Sequence, residues 1–317
     1  SILGDIVANV GGDRVEVITL VGPDGDAHVF QPAPADAEAV AGADVIIANG
    51  LGFEGWMDRL VEASGTKATL ITAAEGVTPI SFEGEEGHDH EHADGEEHGH
   101  EHAEGEEHAH EGEEHEHAEG EAHDHDHGKE EAGHDHAGHD HGEFDPHAWQ
   151  SVANVILYVG AIEGGLSAAD PEGAETYKAN AAEYLAELET LDAEIRAGVA
   201  ALPEDRRTVV TSHDAFGYFA ASYGLTFVAP QGVSTEAEAS AQDVAALITQ
   251  IKETGISAVF VENIADPRLL AQIASETGAK IGGTLFSDAL SAADGPAGTY
   301  LTMMRYNLGQ LTQALTN

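Results

Sequence analysis

Residues 83–143 limit most strongly what this chain can fold into. They hold 17 of the 20 histidines, 25 of the 59 acidic residues and almost no apolar side chain. Runs such as His88-Asp89-His90-Glu91-His92 and His123-Asp124-His125-Asp126-His127 recur between glycines and alanines. No hydrophobic period of 2 or 3.6 runs through them, so they bury too little surface to offset the entropy of ordering. A disordered, metal-attracting insert is expected. Imidazoles with a pKa of ~6.5 are largely neutral at pH 7 and can coordinate a metal, while carboxylates concentrate cations around them. The plainer reading is a solvated spacer whose histidines bind metal incidentally. Either way the fold must come from the roughly 255 residues outside, enough for two domains with real cores.

The formal charge is −47. The insert carries about −24 of it, from its 25 acids against Lys129, and the rest of the chain about −23. Such a surface repels nucleic acid and anionic membranes and attracts cations. No uninterrupted apolar run reaches the ~18 residues that mark a membrane-spanning helix, so no direct membrane insertion is expected. There are no cysteines, which removes disulfides, thiolate metal sites and cysteine nucleophiles. The chain opens on Ser1-Ile2-Leu3 without a methionine, and a removed leader is expected ahead of it.

Outside the insert, strand and helix patterns alternate. Residues 13–21 alternate and are β-branched, which predicts a strand. A helix capped by Asp36 follows to residue 42, then a buried strand at 45–48, an amphipathic helix at 53–64 and a strand at 68–71. Helical spacing returns at 148–166. Asp170 and Pro171 predict the cap and first position of a helix to about residue 201, on the order of 45 Å long. The second half predicts strands at 207–211, 225–229, 256–261 and 280–286. Helices alternate with them at 214–223, 240–254, 267–277 and 299–315, with Ser240 and Asp243 placed as a capping box. This predicts an α/β fold: two doubly wound parallel-sheet lobes joined by a long rigid helix. The expected divisions are an N-terminal lobe over 1–168, a linking helix over 169–202 and a C-terminal lobe over 203–317, with the insert in the first lobe.

In open α/β sheets, ligands bind beyond the carboxyl ends of the strands. His213 follows the predicted strand 207–211, Asp288 follows 280–286, and His28 follows 13–21 after a short loop. His147 immediately precedes a helix. These three are the only histidines outside the insert. Three imidazoles and a carboxylate would form a four-coordinate nitrogen and oxygen site suited to Zn²⁺. The bland alternative is isolated surface or core histidines, with Asp288 capping a turn. Asp145, Asp214 and Glu262 are candidates to orient the rings, and equally candidates for ordinary caps or turns.

With these motifs the chain resembles the zinc and manganese solute-binding proteins of ABC importers, the cluster A-I type, over nearly everything outside the insert. The motifs are Gly25-Asp26-Ala27-His28-Val29-Phe30-Gln31-Pro32, Asp145-Pro146-His147-Ala148-Trp149, Thr211-Ser212-His213-Asp214-Ala215-Phe216-Gly217-Tyr218 and Phe286-Ser287-Asp288-Ala289-Leu290. The resemblance places the family's four metal ligands on His28, His147, His213 and Asp288. Manganese-type members carry a glutamate where this chain has His213, and zinc members often carry a His- and acid-rich loop where this insert lies. It therefore implies a zinc-type, non-enzymatic, monomeric binding protein. One tight Zn²⁺ would sit between the lobes, with weaker Zn²⁺ sites in the insert and a membrane permease/ATPase complex as partner. Location would be periplasmic, or extracellular with a lipid anchor. Family members also have a short strand ahead of the segment matching Ser1-Ile2-Leu3, so the first strand of the N-lobe sheet is expected to be missing here.

Three rival readings follow from the same residues. Gly50-Leu51-Gly52-Phe53-Glu54-Gly55 is a literal G-x-G-x-x-G with Glu75 twenty residues on, the pattern of a dinucleotide site. Against it, Glu54 puts negative charge where a pyrophosphate would sit. A zinc hydrolase would need an open coordination position for water, which four protein ligands close. A free zinc buffer or chaperone shares every feature of the transport reading.

Overall fold

The computed structural model describes residues 1–81, 144–256 and 258–316. The expected insert therefore lies outside the described residues. The described residues on either side of it pair: Ser81 and Phe144 form an antiparallel bridge, and Asp145 N–H donates to Ile80 O.

Two parallel sheets carry the fold. The smaller pairs β1 (Val45–Ala48) with β2 (Thr69–Thr72) in register. The larger has the order β4-β3-β5-β6, from β3 (Thr208–Val210), β4 (Thr226–Val228), β5 (Ala258–Glu262) and β6 (Lys280–Leu285). The chain runs outward from β3 to β4 and then returns to the other side of β3, so the switch point lies between β3 and β5. That is where an open α/β sheet leaves a crevice at its carboxyl edge.

Nine helices are described: α1 (Ile2–Gly11), α2 (Pro34–Gly42), α3 (Met57–Ser64), α4 (Val152–Ala169), α5 (Ala174–Ala200), α6 (Gly217–Tyr223), α7 (Ala241–Thr254), α8 (Arg268–Thr277) and α9 (Tyr300–Thr316). The 27-residue α5 spans about 40 Å at 1.5 Å per residue. Its buried stripe, Tyr177, Ala181, Tyr184, Leu188, Leu191, Ile195 and Val199, repeats every three or four residues. That spacing keeps one face inward along the whole helix. It packs on α1 and α4 at one end and on α6 and α9 toward the other. One continuous apolar core runs from Ile2 and Val155 through Leu191 to Leu285 and Tyr300.

Several local expectations change. Residues 13–21 form no strand: Gly12–Arg14 is a 3-10 turn, and 15–21 run without a ladder, leaving Ile18 64% exposed. Alternation specifies an extended backbone but supplies no partner. Residues of this segment and of β1 line a common cavity of about 790 Å³ instead. α5 starts four residues later than Asp170, because that carboxylate accepts hydrogen bonds from Arg14 and the Tyr177 hydroxyl rather than capping the helix. α4 is apolar and long enough by composition to cross a membrane, carrying only Glu163 as a charge. Its Val152, Val155, Tyr158, Val159, Ile162 and Leu166 nevertheless lie in the core against α5 and α1. Ser240 caps α7 by accepting from Asp243 N–H, but the expected capping box is only half made, because the Asp243 carboxylate accepts from the Ser240 hydroxyl and not from its backbone N–H.

The Gly50–Gly55 turn is no dinucleotide site. Gly50, Leu51 and Gly52 have φ of 87°, 56° and 77°, and the turned-in Glu54 carboxylate accepts from Asn49 N–H at 2.7 Å and Gly50 N–H at 3.3 Å. The amides a phosphate would need are thus taken by a carboxylate of the same loop. Burial pushes the Glu54 carboxyl up to about 7, against the pull of those two amides. The folded state then holds a proton between about pH 4.5 and 7 that the unfolded chain releases, so stability falls as pH rises through this window. We expect Glu54→Gln to match the parent near pH 4.5 and to exceed its stability above pH 7 by on the order of 2 kcal/mol. Urea titrations across pH measure the gap; a pH-independent difference would show that the carboxyl is not perturbed.

Candidate metal centre

Each side chain of the centre arrives from a well-braced backbone, with one exception. His213 lies three residues past β3. Its own N–H and that of Ser212 donate to Glu262 Oε1 at 2.9 and 2.6 Å, and Glu262 ends the neighbouring β5. Asp288 lies three residues past β6. Asn307 of α9 bonds both polar backbone atoms of Phe286, and the indole of Trp149 and amide of Gln150 each donate to Ser287 O at 2.8 Å. His147 heads the 3-10 turn Ala148–Gln150 that precedes α4. Asp145 Oδ1 accepts from its backbone N–H at 2.9 Å and lies 2.8 Å from its Nδ1. Tyr218 braces Asp145 O and Asn49 braces Pro146 O. Gly217 lets α6 approach this loop, since a Cβ there would run into Asp145 Oδ2. His28 sits in the irregular stretch before α2. Its backbone donates to Asp26, and Trp56 holds Ala27 O.

The structure brings His28, His147, His213 and Asp288 together, with one donor atom from each inside a group 4.8 Å across. His28 Nε2 lies 3.3 Å from His147 Nε2 and 3.4 Å from Asp288 Oδ2. His213 Nε2 lies 3.2 Å from Asp288 Oδ2, and His147 Nε2 lies 3.5 Å from Asp288 Oδ1. Ligands at 2.0–2.1 Å from a tetrahedral ion stand about 3.3 Å apart, so these separations suit a small divalent cation. The group is sealed, with exposures of 0% for His147 and His213, 5% for Asp288 and 7% for His28. Neither Asp288 carboxylate oxygen nor His213 Nε2 has a hydrogen-bond partner among the described residues. Buried polar atoms of this kind are costly unless something fills the space between them.

The rings are also aimed. His147 Nδ1 faces Asp145, and His213 Nδ1 lies 2.6 Å from Glu262 Oε2. At His147 the hydrogen bond to Asp145 holds the proton on Nδ1 and turns Nε2 inward as a lone-pair donor, and at His213 Glu262 lies against Nδ1 in close contact without hydrogen-bond geometry. Asp145 and Glu262 therefore touch the rings as orienting groups, whereas Asp214 makes no hydrogen bond to either. Asn49, Gln150, Tyr218 and Asn307 were invisible in the sequence as bracing residues, because each acts across a long chain separation. Only Tyr218 stood inside a quoted motif.

Burial alone would lower the His147 and His213 imidazolium pKa values. The carboxylates outweigh it: Asp288 and Asp145 raise His147 to about 9, and Glu262 and Asp288 raise His213 well above its usual value. Burial would raise the Asp288 carboxyl, but the two rings hold it well below the usual carboxylate range. Without a cation, then, protons occupy the site.

The family described as "Zinc-uptake complex component A periplasmic" matches residues 1–314. This chain belongs to that family. It is 28% identical over 316 residues to the manganese-binding lipoprotein MntA of Halalkalibacterium halodurans, covering 100% of this chain and 86% of that one. It is 30% identical over 318 residues to the MntA of Bacillus subtilis strain 168, covering 99% and 87%. Among solved structures it superposes on the periplasmic zinc-binding protein TroA of Treponema pallidum with a TM-score of 0.78, at 27% identity over 99% of this chain and 96% of that one. Members are metal-binding solute-binding components that serve a membrane permease and ATPase complex, not enzymes, so the zinc hydrolase reading falls. They work outside the cytoplasmic membrane, in the periplasm or at the cell surface, and the chain is placed there with them.

Metal capture is expected to expel protons from His147 and His213. The raised pKa values mean apo-protein stability from these rings is fully present below about pH 6.5 and is lost as pH rises through about 9 for His147. Calorimetry at pH 7 in buffers of different ionisation enthalpy should show about one to two protons released per ion. Release of none would mean that the rings do not bind it.

Proposed function

We propose that this chain captures Zn²⁺ through Nε2 of His28, His147 and His213 and the Asp288 carboxylate, then hands it to an ABC permease. The observation that carries this is the donor set: three inward-facing imidazole nitrogens around one carboxylate, spaced at 3.2–3.5 Å where contacts are closest. Nitrogen-rich tetrahedral sites suit Zn²⁺, whereas Mn²⁺ prefers more oxygen and a higher coordination number. In this reading lobes 1–168 and 203–317 give two ligands each, and the helix between them limits how far they part. The protein acts as a monomer, and the insert adds weaker Zn²⁺ sites.

One observation favours a larger ion such as Mn²⁺. Asp288 turns both oxygens toward the imidazoles, Oδ1 to His147 and Oδ2 to His28 and His213. A bidentate carboxylate would raise the coordination number to five.

Parallel calorimetry of the apo-protein with zinc and manganese separates the two readings. One tight zinc, several weak ones and weaker manganese are expected; tighter manganese would overturn the zinc assignment. Deleting residues 84–142 should remove the weak sites and leave the tight one. His213→Glu should shift preference toward manganese by tenfold or more, the scale on which a changed ligand alters selectivity.

A further inference from the structure

The four proposed ligands are not held equally. His147 and His213 each have a buried carboxylate at Nδ1, and Asp288 follows a backbone tied by Trp149, Gln150 and Asn307. Among the described residues no carboxylate meets His28 Nδ1; its ring rests edge-on against Phe53 at 4.8 Å. His28 is also the most exposed of the four. It lies on a stretch, residues 15–33, with no helix or strand.

Bonds from the opposite side of the cleft hold this stretch. Asp26 Oδ1 accepts from His28 N–H at 2.9 Å, and Asp26 Oδ2 accepts from the Thr235 hydroxyl at 2.6 Å. Thr235 belongs to the loop between β4 and α7. Gln231 of that loop bridges to His213 and bonds the loop's own carbonyls at Thr235 and Ala237. A second tie joins Asp24 to Asn263 at 3.0 Å and to Leu290 O at 2.9 Å. One carboxylate therefore joins the backbone of the least supported ligand to the loop packed beside the best supported one.

We propose that Asp26 and Thr235 form a clasp that keeps His28 on the ion, and that its opening sets the rate of metal release. Both are positioning residues that act through His28. Breaking the bond leaves the other three ligands in place, so the ion loses one donor and becomes open to water and competing ligands on that side. This inference rests on the ligand set of the proposed function.

The test uses the full chain loaded with one equivalent of Zn²⁺, mixed with excess EDTA and followed by tryptophan fluorescence. Trp149 reports on the centre, its ring lying 5.3 Å from that of His147. Thr235→Val removes the donor without changing the side-chain shape, and should speed release roughly tenfold or more, the size expected for losing a hydrogen bond to a charged group. Thr235→Ser should restore slow release. Asp26→Ala, which also removes the acceptor of the His28 N–H, should release at least as fast as Thr235→Val, and the double variant no faster than Asp26→Ala, as expected when both changes break one bond. Release by Thr235→Val and Asp26→Ala within twofold of the parent overturns the clasp. His213→Ala separates that failure from a wrong ligand set: it abolishes the tight site if the set is right and leaves it intact if the set is wrong.

Discussion

A carboxylate with both oxygens buried and neither hydrogen-bonded by any described residue is the constraint around which this molecule is arranged. Asp288 is such a group. Isolated in a low-dielectric interior it would not ionise, and its burial would cost several kcal/mol. Three imidazoles face it at 3.2–3.5 Å, and their protons or a cation supply the missing charge.

Fixing the cage requires that residues distant in sequence be braced together. Glu262 closes the sheet switch point by holding the backbone and ring of His213 from the next strand. Trp149 and Gln150, just beyond His147, reach Ser287 beside Asp288. Tyr300, the first residue of α9, donates to Trp149 O. Three of the four candidate ligands thus belong to one hydrogen-bonded body with a continuous apolar core behind it. His28 stands apart on an irregular stretch, its backbone N–H bonded to the carboxylate that Thr235 also holds.

The ligand candidates were legible because the chemistry left few choices: with the insert set aside, only three histidines remained, each beside a predicted strand end or helix start. The α/β class was legible from strand and helix periods, and the long buried stripe of α5 from its spacing. Residues 13–21 show the limit. Their alternation implied a strand, but a strand exists only where another backbone pairs with it, and among the described residues none does. Asp170 shows the same limit, since a side chain that caps in isolation was taken by Arg14 from 156 residues away.

By itself the sequence determined the extended and helical segments, the acidic surface and the residue types able to hold a divalent cation. These follow from local periodicity and side-chain chemistry, which need no knowledge of neighbours. Tertiary structure alone decided that the four donor atoms converge within 4.8 Å, that Asp145 and Glu262 turn two rings inward while Asp214 does not, and that Glu54 fills the glycine loop. Each is a meeting of groups remote in the chain or a choice among rotamers. Packing makes that choice, and no local pattern encodes it.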